Sequence, residues 1–451
     1  MDIENRIADI KKKNPNQPTF YQTVEEVLES IKPVLENDGQ YEEYKIIDRL
    51  AEPDRIISFK VTWQCDDGEI HVNRGYRVQM NSALGPYKGG LRYDPSVNRD
   101  VLKFLAFEQT FKNALTGMPL GSGKGGSDFN PKGKTDDEIM RFCQSFMAEL
   151  YRYIGPDVDV PAGDIGVGSR EIGYLFGAYK KFKNEFSGVL TGKGVQWGGS
   201  LIRTEATGYG VVLFALNMLA EQDEDLEDKQ YLVSGAGNVA QYAIEKIIQE
   251  GGTPITVSDS DGFIYDGEGI DEEKLKFIKE LKNEKRGRIK EYADEFDSGE
   301  FQEVSGDDDS NPLWDIEADC AFPCATQNEV QKADAQNLAD NGISLIAEGA
   351  NMPLTADALA VIQDADLLYA PGKASNAGGV AISGLEMTQN KMGVYWSRDK
   401  VSAELENIMK RIHDKCLDAA KEYDLGTNYL AGANIAGFKK VADSMIAQGV
   451  V

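Results

Sequence analysis

The chain has 451 residues, enough for two or three domains. Apolar residues make up 41% and charged residues 27%, an ordinary globular mix that excludes wholesale disorder. The net charge of −27 repels phosphate backbones and anionic lipid, so neither nucleic acid nor a membrane is an expected partner.

The N-terminus up to Pro15 is polar, carries Lys11, Lys12 and Lys13, and is followed by no apolar signal core. The most apolar stretch, Val211 to Ala220, is about half the ~18–20 residues of a spanning helix. Five cysteines, an odd number without a C-x-x-C pair, point to reduced thiols in a reducing compartment. A cytoplasmic location is therefore expected. The two histidines, His71 and His413, lie far apart and leave little material for a zinc site or a histidine triad. No metal is expected, and acid–base chemistry falls to Lys, Asp, Glu or Tyr.

Met1 to about Ala51 reads helical, with apolar residues at Val24, Val27, Leu28, Ile31 and Val34. Ile57, Phe59, Val61 and Trp63 then alternate. After the turn Asp66-Asp67-Gly68 come Ile70, Val72, Tyr76 and Val78, a β-hairpin pattern. A glycine-dense region from Gly85 to Gly126 reads as tight loops around a helix from Asp100 to Leu115. Thr135 opens the next helix with a capping box to Glu138. Past a second glycine cluster, Gly192 to Gly210, helices and strands alternate. The sequence predicts helix Tyr209–Glu221, strand Gln230–Ser234, helix Val239–Glu250 and strand Pro254–Ser258. Further strands follow near Ala318–Phe322, Ser344–Ala347 and Leu367–Ala370. This order predicts a doubly wound parallel sheet. The acidic stretches Glu221–Asp228 and Asp297–Asp309 read as solvated loops or helix ends.

Strand Tyr231-Leu232-Val233-Ser234 runs into Gly235-Ala236-Gly237-Asn238-Val239-Ala240, a G-x-G-x-x-A at a strand–turn–helix junction. Gly235 permits the turn, Gly237 admits the pyrophosphate, and Ala240 allows close helix–strand packing. Asp259 follows at the end of the next strand, which completes a dinucleotide fingerprint. A lone acid there suits the ribose hydroxyl of NAD, whereas the flanking Ser258 and Ser260 can donate to the 2′-phosphate of NADP. The residues by themselves leave both coenzymes open.

Three lysines stand beside glycines in an otherwise acidic chain: Lys88 in G-P-Y-K-G-G, Lys112 in F-E-Q-T-F-K-N and Lys124 in G-S-G-K-G-G-S-D. Clustered ammonium groups bind carboxylates, and their repulsion lowers a lysine pKa toward a general-base range. Lys124 is no phosphate-loop lysine, because Met118 and Gly125 break G-x-x-x-x-G-K-[S/T]. Asp164 in P-A-G-D-I-G reads as a turn residue or as a proton shuttle beside a nicotinamide.

These strings resemble the hexameric glutamate dehydrogenases of the Glu/Leu/Phe/Val dehydrogenase superfamily. G-P-Y-K-G-G-L-R-Y, F-E-Q-T-F-K-N, G-K-G-G-S-D-F, D-V-P-A-G-D-I-G-V-G and G-G-S-L-I-R-T-E-A-T-G-Y-G carry the likeness in the first half. P-C-A-T-Q-N, A-E-G-A-N-M-P and N-A-G-G-V-A-I-S-G-L-E carry it in the second. The resemblance implies an α/β chain of two domains. A substrate-binding and oligomerisation domain would span 1–202 with a C-terminal return at 424–451. A Rossmann-type dinucleotide-binding domain would span 203–423.

It implies Lys124 as the lysine that activates water and Asp164 as the acid that moves the amine proton. Gln109 and Lys112 would hold the substrate α-carboxylate, and Lys88 and Ser383 its side-chain carboxylate. Coenzyme contacts would come from Thr207, Gly235, Gly237, Asn238, Val239, Ser258, Asp259, Ser260, Ala325 and Asn351. The implied reaction interconverts L-glutamate with 2-oxoglutarate and ammonium in a homo-hexamer. V-S-D-S-D-G and G-N-V-A-Q-Y-A-I-E-K resemble the NADP-using bacterial branch, with NAD as the alternative. A dehydrogenase for an apolar amino acid would carry an apolar residue at 88. A non-catalytic sensor would have lost Lys124 or Asp164.

Overall fold

The computed structural model describes residues 3–304 and 310–451. Five helices lead the chain: α1 (Ile3–Lys13), α2 (Pro18–Ser30), α3 (Lys32–Asn37), α4 (Gln40–Glu43) and α5 (Ile46–Ala51). Strands β1 (Arg55–Gln64) and β2 (Ile70–Asn81) form the expected antiparallel hairpin. Then come β3 (Tyr87–Tyr93), α6 (Arg99–Leu115), β4 (Ser122–Ser127), α7 (Asp136–Leu150), β5 (Asp159–Gly163) and α8 (Ser169–Lys183). The five strands form one mixed sheet in the order β1-β2-β4-β3-β5.

Here the loop reading of the glycine-dense region is corrected. Lys88 sits on β3 and Lys124 on β4, two parallel neighbours within the sheet. Glycine is a poor strand former in general, because it has no side chain to pack. In this sheet the glycines permit backbone proximity: a Cβ on Gly89 would stand 1.8 Å from the Gly123 carbonyl oxygen. Both faces of the sheet are covered. Tyr76, Val78 and Met80 of β2 pack with α2 and α6, while Trp63, Leu91 and Tyr93 pack with α7 and α8. The capping box holds as read: Thr135 Oγ1 accepts from the Glu138 N–H, and Glu138 accepts from the Thr135 N–H.

The second half runs α9 (Ala206–Ala220), β6 (Gln230–Val233), α10 (Asn238–Gln249), β7 (Thr253–Pro254), β8 (Thr256–Asp259), β9 (Gly262–Asp266), α11 (Glu272–Lys279), α12 (Glu291–Glu295) and β10 (Gly299–Glu303). It continues β11 (Cys320–Phe322), α13 (Lys332–Asp340), β12 (Leu345–Ala347), α14 (Ala356–Asp364), β13 (Leu368–Ala370), α15 (Gly372–Ser375), α16 (Gly378–Met392), α17 (Arg398–Glu422) and α18 (Tyr429–Ala447). A parallel sheet runs β13-β12-β11-β6-β7. Alternate residues of its strands enter different cores. Tyr231, Val233 and Leu345 face one helix layer, whereas Leu232, Ala321 and Ile346 face the other. That split is the signature of a doubly wound sheet.

Two readings change. The strand expected over Pro254–Ser258 divides: its start joins the parallel sheet as β7, and β8 enters a separate antiparallel sheet with β9 and β10. The acidic stretch from Asp297 is not all loop, because Gly299–Glu303 pairs with β9 as an exposed strand. Asp307, Asp308 and Asp309 lie outside the described residues.

Helix α18 returns to the N-terminal half. Its Ile435, Phe438, Val441 and Met445 complete the core formed by α2 and α6. Tyr41 donates from its hydroxyl to Asp443 at 2.8 Å across that contact. Among the described residues no helix is long and apolar enough to cross a membrane.

Candidate functional site

A cleft of about 420 Å³ opens between the two halves. Gln109, Lys112 and Lys124 line one wall, and Asn351, Gly372 and Lys373 line the other. Helix α6 and strand β4 therefore bring two of the three lysines, Lys112 and Lys124, to the surface facing the second half.

Lys124 and Asp164 meet as an ion pair, Nζ to Oδ1 at 3.2 Å. Asp164 follows β5, and its Oδ2 accepts from Arg92 Nε at 2.8 Å. Burial alone would raise the Asp164 pKa. The cations Lys124 and Arg92 overcome it and hold the carboxyl at about 2. Lys124 is 5% exposed. Burial pushes its pKa below the ordinary value, Asp164 opposes that shift, and Arg92 and Arg77 add to it. For Lys112, burial and then the Lys124 charge lower the pKa to about 8. Desolvation is thus the larger cause for both lysines, ahead of the cation–cation repulsion expected from their clustering.

Lys112 donates to Asn376 Oδ1 across the cleft. Asn376 Nδ2 in turn donates to the Gly349 and Ala350 carbonyls and to Asn351 Oδ1, each at 3.1 Å. Asn376 links the lysine wall to the strand end that carries Asn351. Its role was not visible in the sequence, because every partner of its side chain is at least 25 residues away. Gln109 binds Asn113, which fixes the β3 and β4 approaches by donating to the Lys88 and Gly121 carbonyls.

Lys88 is 1% exposed and donates to Thr191 Oγ1 at 2.9 Å. Burial, then the positive charges of Arg203 and Arg77, push its pKa well below the ordinary lysine range. Arg77 itself is held by Asp159 in a two-point pair at 2.9 and 2.5 Å. Ser383 lies buried on α16, three residues before Glu386 and on the same helix face. Glu386 pairs with Lys193 at 2.8 Å and accepts from the Gly192 N–H. The segment around Thr191 thus joins the Lys88 side to the Ser383 helix. Thr191, Arg203 and Glu386 were missed, and only the fold assembles them.

The G-x-G turn has the geometry read from its residues. Gly235 has φ of +83°, the left-handed region that favours glycine. Gly237 is the N-cap residue of α10, and a Cβ placed on it would meet nothing within 4 Å. The turn is open to a phosphate at a helix N-terminus. It lies where the sheet order reverses, since β7 follows to one side of β6 and β11 sits on the other. Ala325 is exposed just past β11, and its N–H donates to Glu329. Burial raises the Glu329 pKa to about 7 despite that bond and one from Thr326. Val239 packs at Gly349, Asn238 donates to the Thr204 carbonyl, and Thr207 Oγ1 abuts Gly379 of α16.

At the ribose end the structure separates the three residues. Ser258 is buried, and its Oγ accepts from the Gly235 N–H at 2.7 Å, so it braces the turn and does not face outward. The Asp259 carboxylate is already engaged by Lys282 Nζ at 2.8 Å and by the Ile289 and Asp261 N–H groups. Burial opposes these bonds, yet they hold its pKa below the ordinary value. Ser260 is exposed and accepts from Arg288 Nη1 at 2.8 Å. Lys282 and Arg288 belong to a polar segment that carried no sequence signal.

Two family models match the chain. "Glu/Leu/Phe/Val dehydrogenase, dimerisation domain" covers residues 53–181, and "Glutamate/Leucine/Phenylalanine/Valine dehydrogenase" covers 198–449. The chain is 56% identical to the NAD(P)-specific glutamate dehydrogenase of Xylanibacter ruminicola, over 98% of each chain. It is 54% identical to an NADP-specific glutamate dehydrogenase of Helicobacter pylori over the whole of both chains. The crystal structure of Plasmodium falciparum glutamate dehydrogenase superposes with a TM-score of 0.96 at 50% identity, covering 99% of this chain and 94% of that one.

Proposed function

Because the chain belongs to the Glu/Leu/Phe/Val dehydrogenase family, we propose that its cleft interconverts L-glutamate with 2-oxoglutarate and ammonium, using NADP. The observation that carries this is the placement of the lysines. Lys112 and Lys124 face the cleft beside Asp164, and Lys88 lies buried on the adjacent strand. Two carboxylates on one substrate suit two separated ammonium groups. A substrate with an apolar side chain would leave Lys88 buried without a counter-charge.

In this reading Lys112 and Gln109 hold the α-carboxylate, and Lys88, with Ser383, holds the side-chain carboxylate. NADP would supply the hydride acceptor, held by the Gly235–Gly237 turn, with Ala325 and Asn351 as contacts for its nicotinamide half. Asp164 is a weak base while Lys124 and Arg92 both hold it. As Lys124 turns from it to a water molecule, Asp164 loses a counter-charge and becomes basic enough to take a proton from the substrate ammonium before the hydride departs. Lys124 then takes a proton from the water that attacks the iminium carbon, and Asp164 returns its proton to the nitrogen so that ammonia leaves. Closure of the two halves excludes water from the hydride step.

NADP is favoured over NAD because both Asp259 carboxylate oxygens already accept hydrogen bonds, and a ribose hydroxyl must compete for them. Ser260 with Arg288 offers a hydroxyl and a guanidinium for a 2′-phosphate. The Xylanibacter ruminicola relative, named NAD(P)-specific, keeps NAD as the alternative. Thr207, Asn238 and Val239 complete the turn that receives the coenzyme. The hinge falls near Arg203, between domains 1–202 and 203–423, with 424–451 returning to the first.

The assembly is read as a homo-hexamer. Support comes from the dimerisation domain and from the exposed Ile70 and Val72 beside the ten-residue edge strand β1. Five free cysteines, four of them buried, suit a reducing cytoplasm.

The test follows oxidation of reduced coenzyme with 2-oxoglutarate and ammonium, comparing NADPH with NADH. Faster turnover of NADPH supports the full reading. A preference for NADH would move Asp259 to the ribose hydroxyl, and turnover with neither would refute the activity.

A further inference from the structure

The hairpin tip carries a second cluster of chemistry-bearing side chains, on the outer end of the β1–β2 ribbon. In the hairpin register Trp63 stands opposite His71, and the Cys65 N–H donates to the Glu69 carbonyl at 3.0 Å. With a period of two, residues 63, 65, 69 and 71 all share one face of the ribbon. Ile70 and Val72 therefore point to the other. Cys65, Glu69 and His71 bring one thiol, one carboxylate and one imidazole within 4.8 Å of one another. They are the one such group of three among the described residues. The spacing C-x-x-x-E-x-H is neither a histidine pair nor a C-x-x-C, the patterns whose absence led to the expectation of no metal.

The geometry points to a divalent-cation site here, with Zn²⁺ as its cation. A thiolate, an imidazole and a carboxylate with one open position form a borderline-soft donor set, which selects zinc over magnesium or calcium. Ligand bonds of about 2.0–2.3 Å place tetrahedral donors roughly 3.5 Å apart. The 4.8 Å spread must therefore close by about an ångström. Glu69 supplies that movement, because its side chain is 74% exposed and its carboxylate already lies 3.9 Å from His71 Nε2.

The other two donors are placed beforehand. The His71 ring stacks on Trp63 at 4.8 Å, and Trp63 is fixed edge-on against Phe129 and Phe142 of the core. The loop is tethered to the start of α7, where Asp66 bonds Thr135, Arg141 and the Glu138 carboxylate. Asp66 is thereby engaged elsewhere, and water fills the fourth position. Cys65 is also the one cysteine that is not buried, so a thiolate signal from this protein reports on it.

The test is a Co²⁺ titration of the metal-stripped full-length protein in its native assembly, repeated on C65S and H71N. A thiolate-to-cobalt charge-transfer band that saturates at one ion per chain, and is displaced by Zn²⁺, is expected. C65S abolishes the band, and H71N weakens binding at least tenfold. Both variants retain wild-type turnover of glutamate, since neither residue lines the cleft. Absence of the band in the wild type overturns the site. So does a band that survives C65S, or unchanged affinity in H71N.

Discussion

Replacing Lys88 with leucine tests the reading of substrate choice most sharply. The side chain is 1% exposed, and burial already disfavours its charge, so leucine of similar bulk removes a costly group from the fold. Thr191 loses one bond but keeps its place between Pro161 and Glu386's segment. The melting temperature is therefore expected to hold or rise. The substrate behaves differently. Without the ammonium, the glutamate side-chain carboxylate is desolvated beside Arg203 and an Arg77 already paired with Asp159, and an unpaired buried charge costs about 3–5 kcal/mol. Partial compensation by Arg203 puts kcat/KM for glutamate down by roughly 10²- to 10³-fold, at 1.36 kcal/mol per tenfold. Norvaline, which lacks the charge, should gain in the same variant. Steady-state kinetics on both substrates, with thermal melts alongside, make the measurement. A loss for glutamate below tenfold, with no gain for norvaline, would refute the placement of Lys88.

Binding of the dianion glutarate, which has no amine, reads the lysines directly. Lys112 has its pKa lowered to about 8, so it is charged below that pH and neutral above it. Affinity should fall by about tenfold per unit as pH rises past 8, with proton uptake on binding measurable by calorimetry in buffers of different ionisation enthalpy. A flat profile would contradict it. Arg288→Gln should raise KM for NADPH by roughly tenfold at low salt, less at high salt, and leave KM for NADH unchanged. Equal effects on both coenzymes would remove Arg288 from the 2′-phosphate. Asp159→Asn strands the fully buried Arg77 beneath Lys88. It should destabilise the protein by about 3–5 kcal/mol in urea unfolding. A change below about 1 kcal/mol would show the pair to be expendable.

Much of the architecture was legible because local chemistry and global fold agree. The alternation around Trp63, the Thr135–Glu138 capping box and the Gly235–Gly237 turn each specify their geometry within a few residues. Strands β3, β4 and β5 were not legible, since glycine hides strand periodicity where backbones must approach closely. The β8–β10 sheet was hidden for another reason: its last strand is short, exposed and acidic, and resembles a loop. Within the site, the lysines and Asp164 announced themselves by their neighbours. Thr191, Arg203, Asn376, Lys282 and Arg288 did not, because each acts on a residue distant in the chain.

The central claim is that Lys124 and Asp164 form the proton-handling pair of a glutamate-oxidising site. It is tested most directly by Asp164→Asn, which removes the carboxylate while keeping its shape. The account predicts a fall in kcat of roughly 10²- to 10⁴-fold for glutamate oxidation with NADP. Glutarate affinity, which depends on Lys88 and Lys112, should change little. A variant that keeps kcat within about threefold of wild type would contradict the account, because a group that moves the reacting proton cannot be lost so cheaply.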